Sequence, residues 1–382
     1  MTIECTFTGA KVLRGDGWCD APLSIADGVI QHSGGTRTVD LGGYWVLPGI
    51  VDVHGDGFER HMAPRRGALR EAENGVIACA SELAANGITT AVMAQFFSWE
   101  GGIRSPDFAE HVFDCVCRVR PSVPIDLRLQ LRLETHLLDE FDRVEAAIDH
   151  FGIGYVVFND HLPHQRLSEG RKPPRLVGQA LKAGRNPDAY FAFLLDLHSR
   201  SAEVATAVDR FSATLRARGV VVGSHDDNTA GDRAVWAGRG ATVSEFPETL
   251  EAAQAARDDG ARIVMGAPNI VRGASHAGNI PASDLVRAGL CDALASDYHY
   301  PSPARAAFRL EELGICTLAD AWRMVSRGPA RVLDLADRGD LERGQRADCV
   351  VLDPDTRRIV ATIAGGQVAY MSGSIAERFM SG

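Results

Sequence analysis

Ionisable residues end several apolar runs in this sequence, and these are the residues whose types and spacing can support chemistry. The first run is VDVHGD, in which His54 and Asp56 stand two residues apart. Side chains at positions i and i+2 of a β-strand point to the same side, so both can reach one ion. Imidazole nitrogen and carboxylate oxygen suit divalent zinc, iron or manganese. An isolated pair of this kind is more often a strand end that bonds to a loop, so the pair alone does not predict a metal site.

Four further strings end in the same kind of residue. Glu134 ends LRLQLRLE, His161 follows YVVFND, His225 stands in VVVGSHDD, and Asp297 follows ALAS. A carboxylate at Asp297 can bind a metal ion and accept a proton from an attacking water, although Asp is also an ordinary helix N-cap. Because ligand types that cluster in this way mark sites, the strings together predict a metal-dependent hydrolase with Asp297 as its catalytic residue.

These strings need a scaffold that brings strand ends together. Residues 49–337 alternate apolar runs with helix-like stretches, and the runs predicted as strands are GIVDVHGD, GITTAVMAQ, DLRLQLRLE, GYVVFND, GVVVGSHDD, ATVSEFP, ARIVMGAP and CDALASDY. Eight strands that alternate with helices predict a TIM-like (β/α)8 barrel, whose active site lies at the C-terminal ends of the strands. The stretch from 161 to 218 is longer than a barrel connection requires, which predicts additional structure there.

Both ends of the chain have a different pattern. Residues 1–48 and 338–382 contain short alternating runs separated by Gly and Asp, such as APLSIADGVIQHSGG and RADCVVLDPDTRRIVATIAGGQVAYMSG. Such runs are typical of antiparallel strands with tight turns. The predicted fold is therefore α/β: a barrel over residues 49–337 with a small β-sandwich domain formed by both termini.

Composition excludes several other classes of protein. The 382 residues are 45% apolar and 24% charged, which is ordinary for a globular protein with a substantial core. The net charge of -10 gives no support to binding of nucleic acid or of an anionic membrane. Eight scattered cysteines form no CxxC pair, and the N-terminus lacks a secretory pattern. We therefore expect a cytoplasmic enzyme with a small anionic substrate, and self-association into a homo-oligomer is left open.

Two strings resemble a known family. LPGIVDVHGD near the start and RGDLERGQRADCVVLD near the end are similar to the amidohydrolase superfamily, and the resemblance covers essentially the whole chain. In that family the pattern PG-hydrophobic-D-hydrophobic-H-x-H/D carries the first metal ligands. The resemblance implies a hydrolase with one or two divalent ions, zinc before iron or manganese. Its metal ligands or near-ligands would be His54, Asp56, Glu134, His225 and Asp297, with His161 as a further ligand.

Longer strings resemble one branch of the superfamily, the diphosphatases of phosphonate breakdown. They are HGDGFERHMAPRRG, SHDDNT, SEFPETLEAA, GAPNIVRGASHAGN and ASDYHYPSP. This resemblance implies hydrolysis of a phosphoanhydride bond of alpha-D-ribose 1-methylphosphonate 5-triphosphate, with release of diphosphate. A substrate of this charge requires guanidinium groups, neutral donors and backbone amides. The residues expected to bind it are Arg60, His61, Arg65, Asp226, Asp227, Glu245, Asn269, Arg272 and His276.

The chain departs from that branch at several positions, which leaves alternatives open. The branch has Lys at the position of Arg60, and the string HLPHQR after Asp160 is a further difference. One alternative is a hydrolase of C–N bonds, such as a deaminase, deacetylase or cyclic amidase, which predicts that Arg60, Arg65 and Arg272 face solvent. Another is a barrel kept as a non-catalytic binding module, which predicts that metal ligands are missing.

Overall fold

The structure is a computed structural model that describes residues 2–15, 17–31, 33–62, 71–273 and 278–381. Two predicted substrate-binding residues, Arg65 and His276, lie outside the described residues. Within the described ranges the chain forms eighteen strands, sixteen α-helices and three short 3-10 helices. None of these helices combines the length and the apolar character that crossing a membrane requires.

The strands are β1 (Cys5–Thr8), β2 (Lys11–Arg14), β3 (Gly17–Cys19), β4 (Leu23–Ala26), β5 (Val29–Gln31), β6 (Arg37–Asp40), β7 (Trp45–Pro48), β8 (Ile50–Gly55), β9 (Ile88–Phe97), β10 (Asp126–Glu134), β11 (Tyr155–Asn159), β12 (Val221–His225), β13 (Val243–Glu245), β14 (Arg262–Gly266), β15 (Ala293–Ala295), β16 (Cys349–Asp353), β17 (Arg358–Ala364) and β18 (Gln367–Met371).

The helices are α1 (Glu59–Met62), α2 (Ala72–Ala85), α3 (Pro106–Val119), α4 (Phe141–Phe151), α5 (His164–Ser168), α6 (Leu176–Lys182), α7 (Pro187–Ser199), α8 (Ser201–Ala217), α9 (Ala230–Gly238), α10 (Leu250–Asp258), α11 (Ala267–Arg272), α12 (Ala282–Arg287), α13 (Ser302–Glu312), α14 (Leu318–Arg323), α15 (Arg327–Val332) and α16 (Ile375–Ser381).

Strands β8 to β15 form an eight-stranded sheet in which neighbours in the chain are neighbours in the sheet. Their pairing is parallel, for example between β8 and β9 and between β11 and β12. The last strand returns to the first, because Gly55 at the end of β8 forms a parallel bridge with Asp297 just after β15. This topology confirms the predicted (β/α)8 barrel.

Strand β10 illustrates how the sequence sets the two faces of a barrel strand. DLRLQLRLE alternates leucine with polar residues, and Leu131, Leu133, Gln130 and Glu134 all have 0% exposure. Because successive strand side chains point to opposite faces, the leucines and the polar residues lie on different faces. Parallel sheets are covered on both faces, so the polar set is enclosed and requires hydrogen-bond partners.

Strands from the two ends of the chain form two further sheets, with orders β5-β4-β1-β6 and β18-β17-β16-β7-β2-β3. The N-terminal strand β7 pairs with the C-terminal strand β16. One buried apolar cluster contains Phe7 and Ile25 from the first sheet and Val46 and Val351 from the second. This arrangement confirms the small β-sandwich built from both termini, while its boundaries at residues 48 and 338 stay a prediction.

The chain divides into two compact units. Unit 1 comprises Met1–Met93, Arg118–Arg128 and Arg262–Gly382, and unit 2 comprises Ala94–Cys117 and Leu129–Ala261. Unit 1 therefore holds both terminal sheets together with β8, β14 and β15, and unit 2 holds β11 to β13. In unit 2, helices α5 to α7 precede α8 and carry a buried apolar cluster of their own. The additional structure predicted between residues 161 and 218 is thus confirmed.

Candidate metal centre and substrate groups

Three predicted metal ligands lie together in unit 1. His54 is buried in β8, Asp56 follows that strand, and Asp297 follows β15. One ligand atom from each of the three residues lies within 4.8 Å of those of the other two. Backbone hydrogen bonds connect the strand ends, since Asp297 N–H donates to the His54 carbonyl and Asp56 N–H donates to the Asp297 carbonyl, each at 2.9 Å. One imidazole and two carboxylates make a donor set that fits a divalent ion of the zinc, iron or manganese type.

Three strand ends share an unusual backbone conformation. Asp226 after β12, Phe246 after β13 and Asp297 after β15 have φ angles of 59°, 55° and 55°. Non-glycine residues seldom adopt a left-handed conformation, and it persists only where surrounding structure enforces it. Such residues concentrate at active sites. Here they stand at the C-terminal ends of barrel strands, where this fold carries its catalytic groups.

Asp52, a residue of the VDVHGD string that the sequence analysis did not single out, connects β8 to the end of β15. It is fully buried and accepts two hydrogen bonds from Ser296. Burial raises the pKa of Asp52, while the Ser296 bonds and the nearby His54 act in the opposite direction. A Cβ atom at Gly55 would lie 2.8 Å from Asp52 Oδ2 and 2.9 Å from Ser296 Oγ, so this position requires glycine.

In unit 2, the predicted ligands Glu134 and His161 contact each other. Nδ1 of His161 is hydrogen-bonded to Oε1 of Glu134. The other oxygen, Oε2, accepts from the indole N–H of Trp99 at 3.1 Å and from the backbone N–H of His161 at 3.2 Å. Burial lowers the pKa of the His161 ring, but the hydrogen bond and the charge of Glu134 outweigh it, and the pKa is raised. The pair can therefore share a proton or present both side chains to a cation.

His225, also in unit 2, contacts the predicted substrate residue Glu245. The distance from His225 Nδ1 to Glu245 Oε2 is 3.2 Å. Glu245 is fully buried, and its Oε1 accepts from Gln130 Nε2 and from the Tyr155 hydroxyl, each at 2.6 Å. Burial lowers the pKa of His225. At neutral pH the ring is therefore neutral, which is the form that donates an electron pair to a metal.

Sequence reasoning missed Gln130, Arg132 and Tyr155, which support the residues it found. Arg132 Nη2 lies 3.0 Å from His225 Nε2, and its guanidinium carbon lies 3.8 Å from the centre of the Phe96 ring. The alternation of LRLQLRLE was a usable signal, because it places Gln130 and Arg132 on the strand face that ends in Glu134. Tyr155 begins an apolar strand, and nothing in its sequence neighbourhood indicates a polar role.

Two predicted phosphate-binding arginines in unit 1 contact Tyr298, the residue after Asp297. Arg60 Nη1 donates to the Tyr298 carbonyl at 3.2 Å, and Arg272 Nη1 donates to the Tyr298 hydroxyl at 3.3 Å. Arg60 also forms an ion pair with Glu82, and the Arg60 side chain is 45% exposed. His61 lies 2.6 Å from the same Glu82. Arg60 and Arg272 are thus solvent-accessible and lie beside Asp297, the predicted catalytic residue.

Two other predicted substrate residues make contacts within the protein. Asn269 Oδ1 accepts the Ala282 N–H at 3.0 Å, at the start of α12. Asp227 is buried and accepts the hydroxyls of Ser224 at 2.6 Å and Ser244 at 2.8 Å, which connects β12 with β13. The pKa of Asp227 is raised, because the effect of burial outweighs that of the two hydroxyl hydrogen bonds, which act to lower it.

A cavity of about 320 Å3 in unit 2 is lined by His161 and His225. The carboxylates along its wall belong to Asp160, Asp226, Asp227 and Asp232. Arg239 is the basic residue of the described lining, and its Nε pairs with Asp209 at 2.7 Å. Because carboxylates outnumber cations, this cavity attracts cations rather than free phosphate.

Comparison with known proteins shows the family of this chain through one related protein, although no family model matches the chain. It is 33% identical over 323 residues to alpha-D-ribose 1-methylphosphonate 5-triphosphate diphosphatase of Escherichia coli (strain K12), which covers 82% of this chain and 85% of that protein. The chain belongs to the amidohydrolase superfamily. The resemblance seen in the sequence is thereby confirmed.

Two more distant proteins extend the comparison. The amidohydrolase is 27% identical over 398 residues to imidazolonepropionase of Deinococcus radiodurans, covering 93% of this chain and 92% of that one. It also shares its fold with an adenosine deaminase from Xanthomonas campestris solved with bound zinc, at a TM-score of 0.55, 14% identity, and coverage of 99% and 97% of the two chains. This amidohydrolase is therefore a hydrolase with the barrel of its superfamily.

Proposed function

We propose that this amidohydrolase cleaves a phosphoanhydride bond of alpha-D-ribose 1-methylphosphonate 5-triphosphate and releases diphosphate. The observation that carries the proposal is the 33% identity to the Escherichia coli diphosphatase over 82% of the chain. The sequence strings that resemble the diphosphatase branch include Arg60, Glu245, Arg272 and Asp297.

The two arginines beside Tyr298 support an anionic substrate. A triphosphate requires guanidinium donors that match its oxygens, and Arg60 and Arg272 provide such donors next to Asp297. Arg272 is exposed, and its contact with Tyr298 is made to a hydroxyl rather than to a carboxylate, so a phosphate can replace that partner. Arg60 is held by Glu82, which orients its guanidinium.

The proposed metal ligands are His54, Asp56, Glu134, His161, His225 and Asp297, each at or just after the C-terminal end of a barrel strand. The metal we propose is zinc, as in the Xanthomonas campestris deaminase, with iron or manganese as alternatives. A divalent ion held by His54, Asp56 and Asp297 would supply a water whose pKa is lowered toward about 7. In this proposal Asp297 would accept the proton of the attacking water, and Arg60 and Arg272 would hold the leaving phosphates.

A second candidate, hydrolysis of a C–N bond, is favoured by the acidic cavity of unit 2 and by the solvent exposure of Arg60 and Arg272, which this candidate predicts. Four carboxylates against Arg239 repel a triphosphate but accept a neutral or cationic substrate. The identity to imidazolonepropionase, although lower at 27%, covers a larger share of the chain. This candidate keeps the same metal ligands and the same role for Asp297.

A hydrolysis screen of the metal-loaded enzyme separates the two candidates. The substrates are 5-triphosphorylated ribosides, a cyclic amide, nucleobases and N-acetylated sugars, and the products measured are diphosphate, the ring-opened acid, ammonia and acetate, respectively. The proposal expects diphosphate release from the ribosides in the wild type and release that is slower by about 10²-fold or more in Asp297→Asn. Turnover of a C–N substrate without diphosphate release would reject the proposal and support the second candidate.

A further inference from the structure

A second group of metal-ligating side chains lies in unit 2, outside the ligands named above. It consists of His136 after β10, Asp160 after β11 and His164 at the start of α5. One ligand atom from each lies within 4.8 Å of the others. Asp160 Oδ1 is 3.6 Å from His136 Nδ1, and Asp160 Oδ2 is 3.0 Å from His164 Nε2. Tetrahedral zinc with bonds of about 2.0–2.2 Å requires ligand atoms about 3.3–3.6 Å apart. The separation from His136 matches this range, whereas the shorter contact with His164 is a hydrogen bond that would lengthen when an ion enters.

We propose that His136, Asp160 and His164 form a separate divalent-metal site. Two imidazoles and one carboxylate select zinc or cobalt over calcium and magnesium, which prefer oxygen ligands alone. Three protein ligands leave a fourth position for water. The side chains of Asp160 and His164 are 42% and 37% exposed, so an ion can enter from solvent. The His136 side chain is only 3% exposed, so its position is fixed by the surrounding residues.

The hydrogen bonds of His136 orient its ring for metal binding. Ser201 Oγ donates its one proton to the His198 carbonyl at 2.7 Å. Its contact of 3.1 Å with His136 Nε2 is therefore donated by Nε2–H. The neutral ring then carries its electron pair on Nδ1, on the side of Asp160. The Thr135 hydroxyl lies 3.3 Å from Nδ1, and Asp160, which also pairs with His164, is the charged group on this side of the ring.

His164 is also oriented by a polar neighbour, which contacts the ring nitrogen that faces away from Asp160. Its Nδ1 lies 2.9 Å from His198 Nδ1, and one proton serves this contact. Without the ion, His164 Nε2–H donates to Asp160 at 3.0 Å, and an ion bound between them would replace that proton while Nδ1–H of His164 faces His198. Metal-ligating histidines commonly donate their second ring N–H to a polar neighbour in this way. His198 is thus an outer partner, and His164 is the ligand.

The position of the site suggests what the metal does. Its ligands come from the segments that follow β10 and β11 and from α5, the first helix of the additional structure between β11 and α8. An ion there would add a polar link between α5 and two strand ends, beside the apolar cluster in which Leu167 of α5 packs with Leu162 and Leu137. We therefore assign the site a stabilising role, and this role does not depend on the proposed reaction.

Metal stoichiometry tests the site directly. The full chain is stripped with a chelator, reloaded with zinc against a chromophoric competitor, and its zinc content is counted by elemental mass spectrometry. We expect His164→Gln and Asp160→Asn each to bind one equivalent fewer than the wild type. The matched control is His150→Gln, an exposed histidine on α4 of the same unit, which should bind as the wild type does.

Two further measurements keep the test decisive. Circular dichroism reports whether each variant folds. If His164→Gln does not fold, Asp160→Asn alone can test the site. Zinc should raise the melting temperature of Asp297→Asn but raise it less in Asp160→Asn, which separates this site from the proposed catalytic centre. Equal stoichiometry and equal zinc-dependent stabilisation in the wild type and in both site variants would overturn the proposal.

Discussion

Ser296 donates two hydrogen bonds to Asp52, one from its backbone N–H to Oδ1 at 2.9 Å and one from its hydroxyl to Oδ2 at 2.5 Å. Both residues have 0% exposure, and 244 positions separate them in the chain. Asp52 lies two residues before His54 on β8, and Ser296 directly precedes Asp297. The pair therefore aligns the first and last strands of the barrel, on which three proposed metal ligands stand.

Removal of the hydroxyl in Ser296→Ala should weaken that alignment. A buried acceptor loses its donor, so we expect the free energy of unfolding to fall by about 1–3 kcal/mol and zinc affinity to fall with it. Urea unfolding and a zinc competition assay measure the two effects. Ser81→Ala, which removes an exposed hydroxyl from α2, is the control and should change stability by less than about 0.5 kcal/mol. Unchanged stability in Ser296→Ala would refute the assigned role.

Asp297→Asn should retain the fold and lose turnover. The amide keeps the size of the side chain but cannot accept the proton, so kcat should drop by about 10²-fold or more. Asp292→Asn, at the opposite end of β15, is the matched control. Asp292 accepts the Ile263 N–H at 2.8 Å, and the amide oxygen of Asn can accept the same bond, so this variant should retain both the fold and kcat. Near-normal kcat in Asp297→Asn would contradict the role of that residue.

Arg272→Ala should affect charged ligands selectively. Loss of one charge-assisted contact costs about 1.5–3 kcal/mol, which corresponds to roughly a 10- to 100-fold weaker binding of a 5-triphosphorylated riboside. Binding of the unphosphorylated riboside should hardly change. Inhibition constants for both ligands measure the difference, with Arg287→Ala, another exposed arginine of unit 1, as the control. An equal loss for both ligands would show that Arg272 does not bind phosphate.

Asp126 should make the stability of the protein depend on pH. It accepts from Arg128 Nε at 3.0 Å and from Arg338 Nη1 at 2.7 Å. Burial raises the pKa of Asp126, but the two guanidinium groups outweigh it, and the pKa is lowered. A lowered pKa in the folded state means that the stabilisation is complete above the unfolded value near 3.9 and is lost as pH falls through the folded value.

Asp126→Asn should therefore reduce the free energy of unfolding at pH 7 by about 1.5–3 kcal/mol and lower the melting temperature. The difference in melting temperature from the wild type should shrink below about pH 4. Melting curves between pH 3 and pH 7 measure this difference. Asp188→Asn removes an exposed partner of Lys172 and should leave the curves unchanged. A difference from the wild type that is the same at pH 3 and at pH 7 would contradict the prediction.

Local pattern was sufficient to predict the barrel, the terminal β-sandwich and the strand ends that carry ligand types. The strand GIVDVHGD and the alternating DLRLQLRLE are recognisable because strand direction and side-chain alternation depend on neighbouring residues alone. Cation-binding residue types also retain their chemistry wherever the chain places them. His54, Asp56 and Asp297 could thus be proposed together from the sequence before their atoms were known to lie within 4.8 Å.

Tertiary structure decided which side chains meet. Nothing near Asp52 in the sequence indicates Ser296, and nothing near Glu245 indicates Tyr155, because those contacts depend on how strands far apart in the chain pair and align. The direction of Arg60 was likewise undetermined until Glu82 and Tyr298 were located around it. Residue types and local spacing set the available chemistry, but hydrogen bonds and burial are formed between distant segments, and only the folded chain brings those segments together.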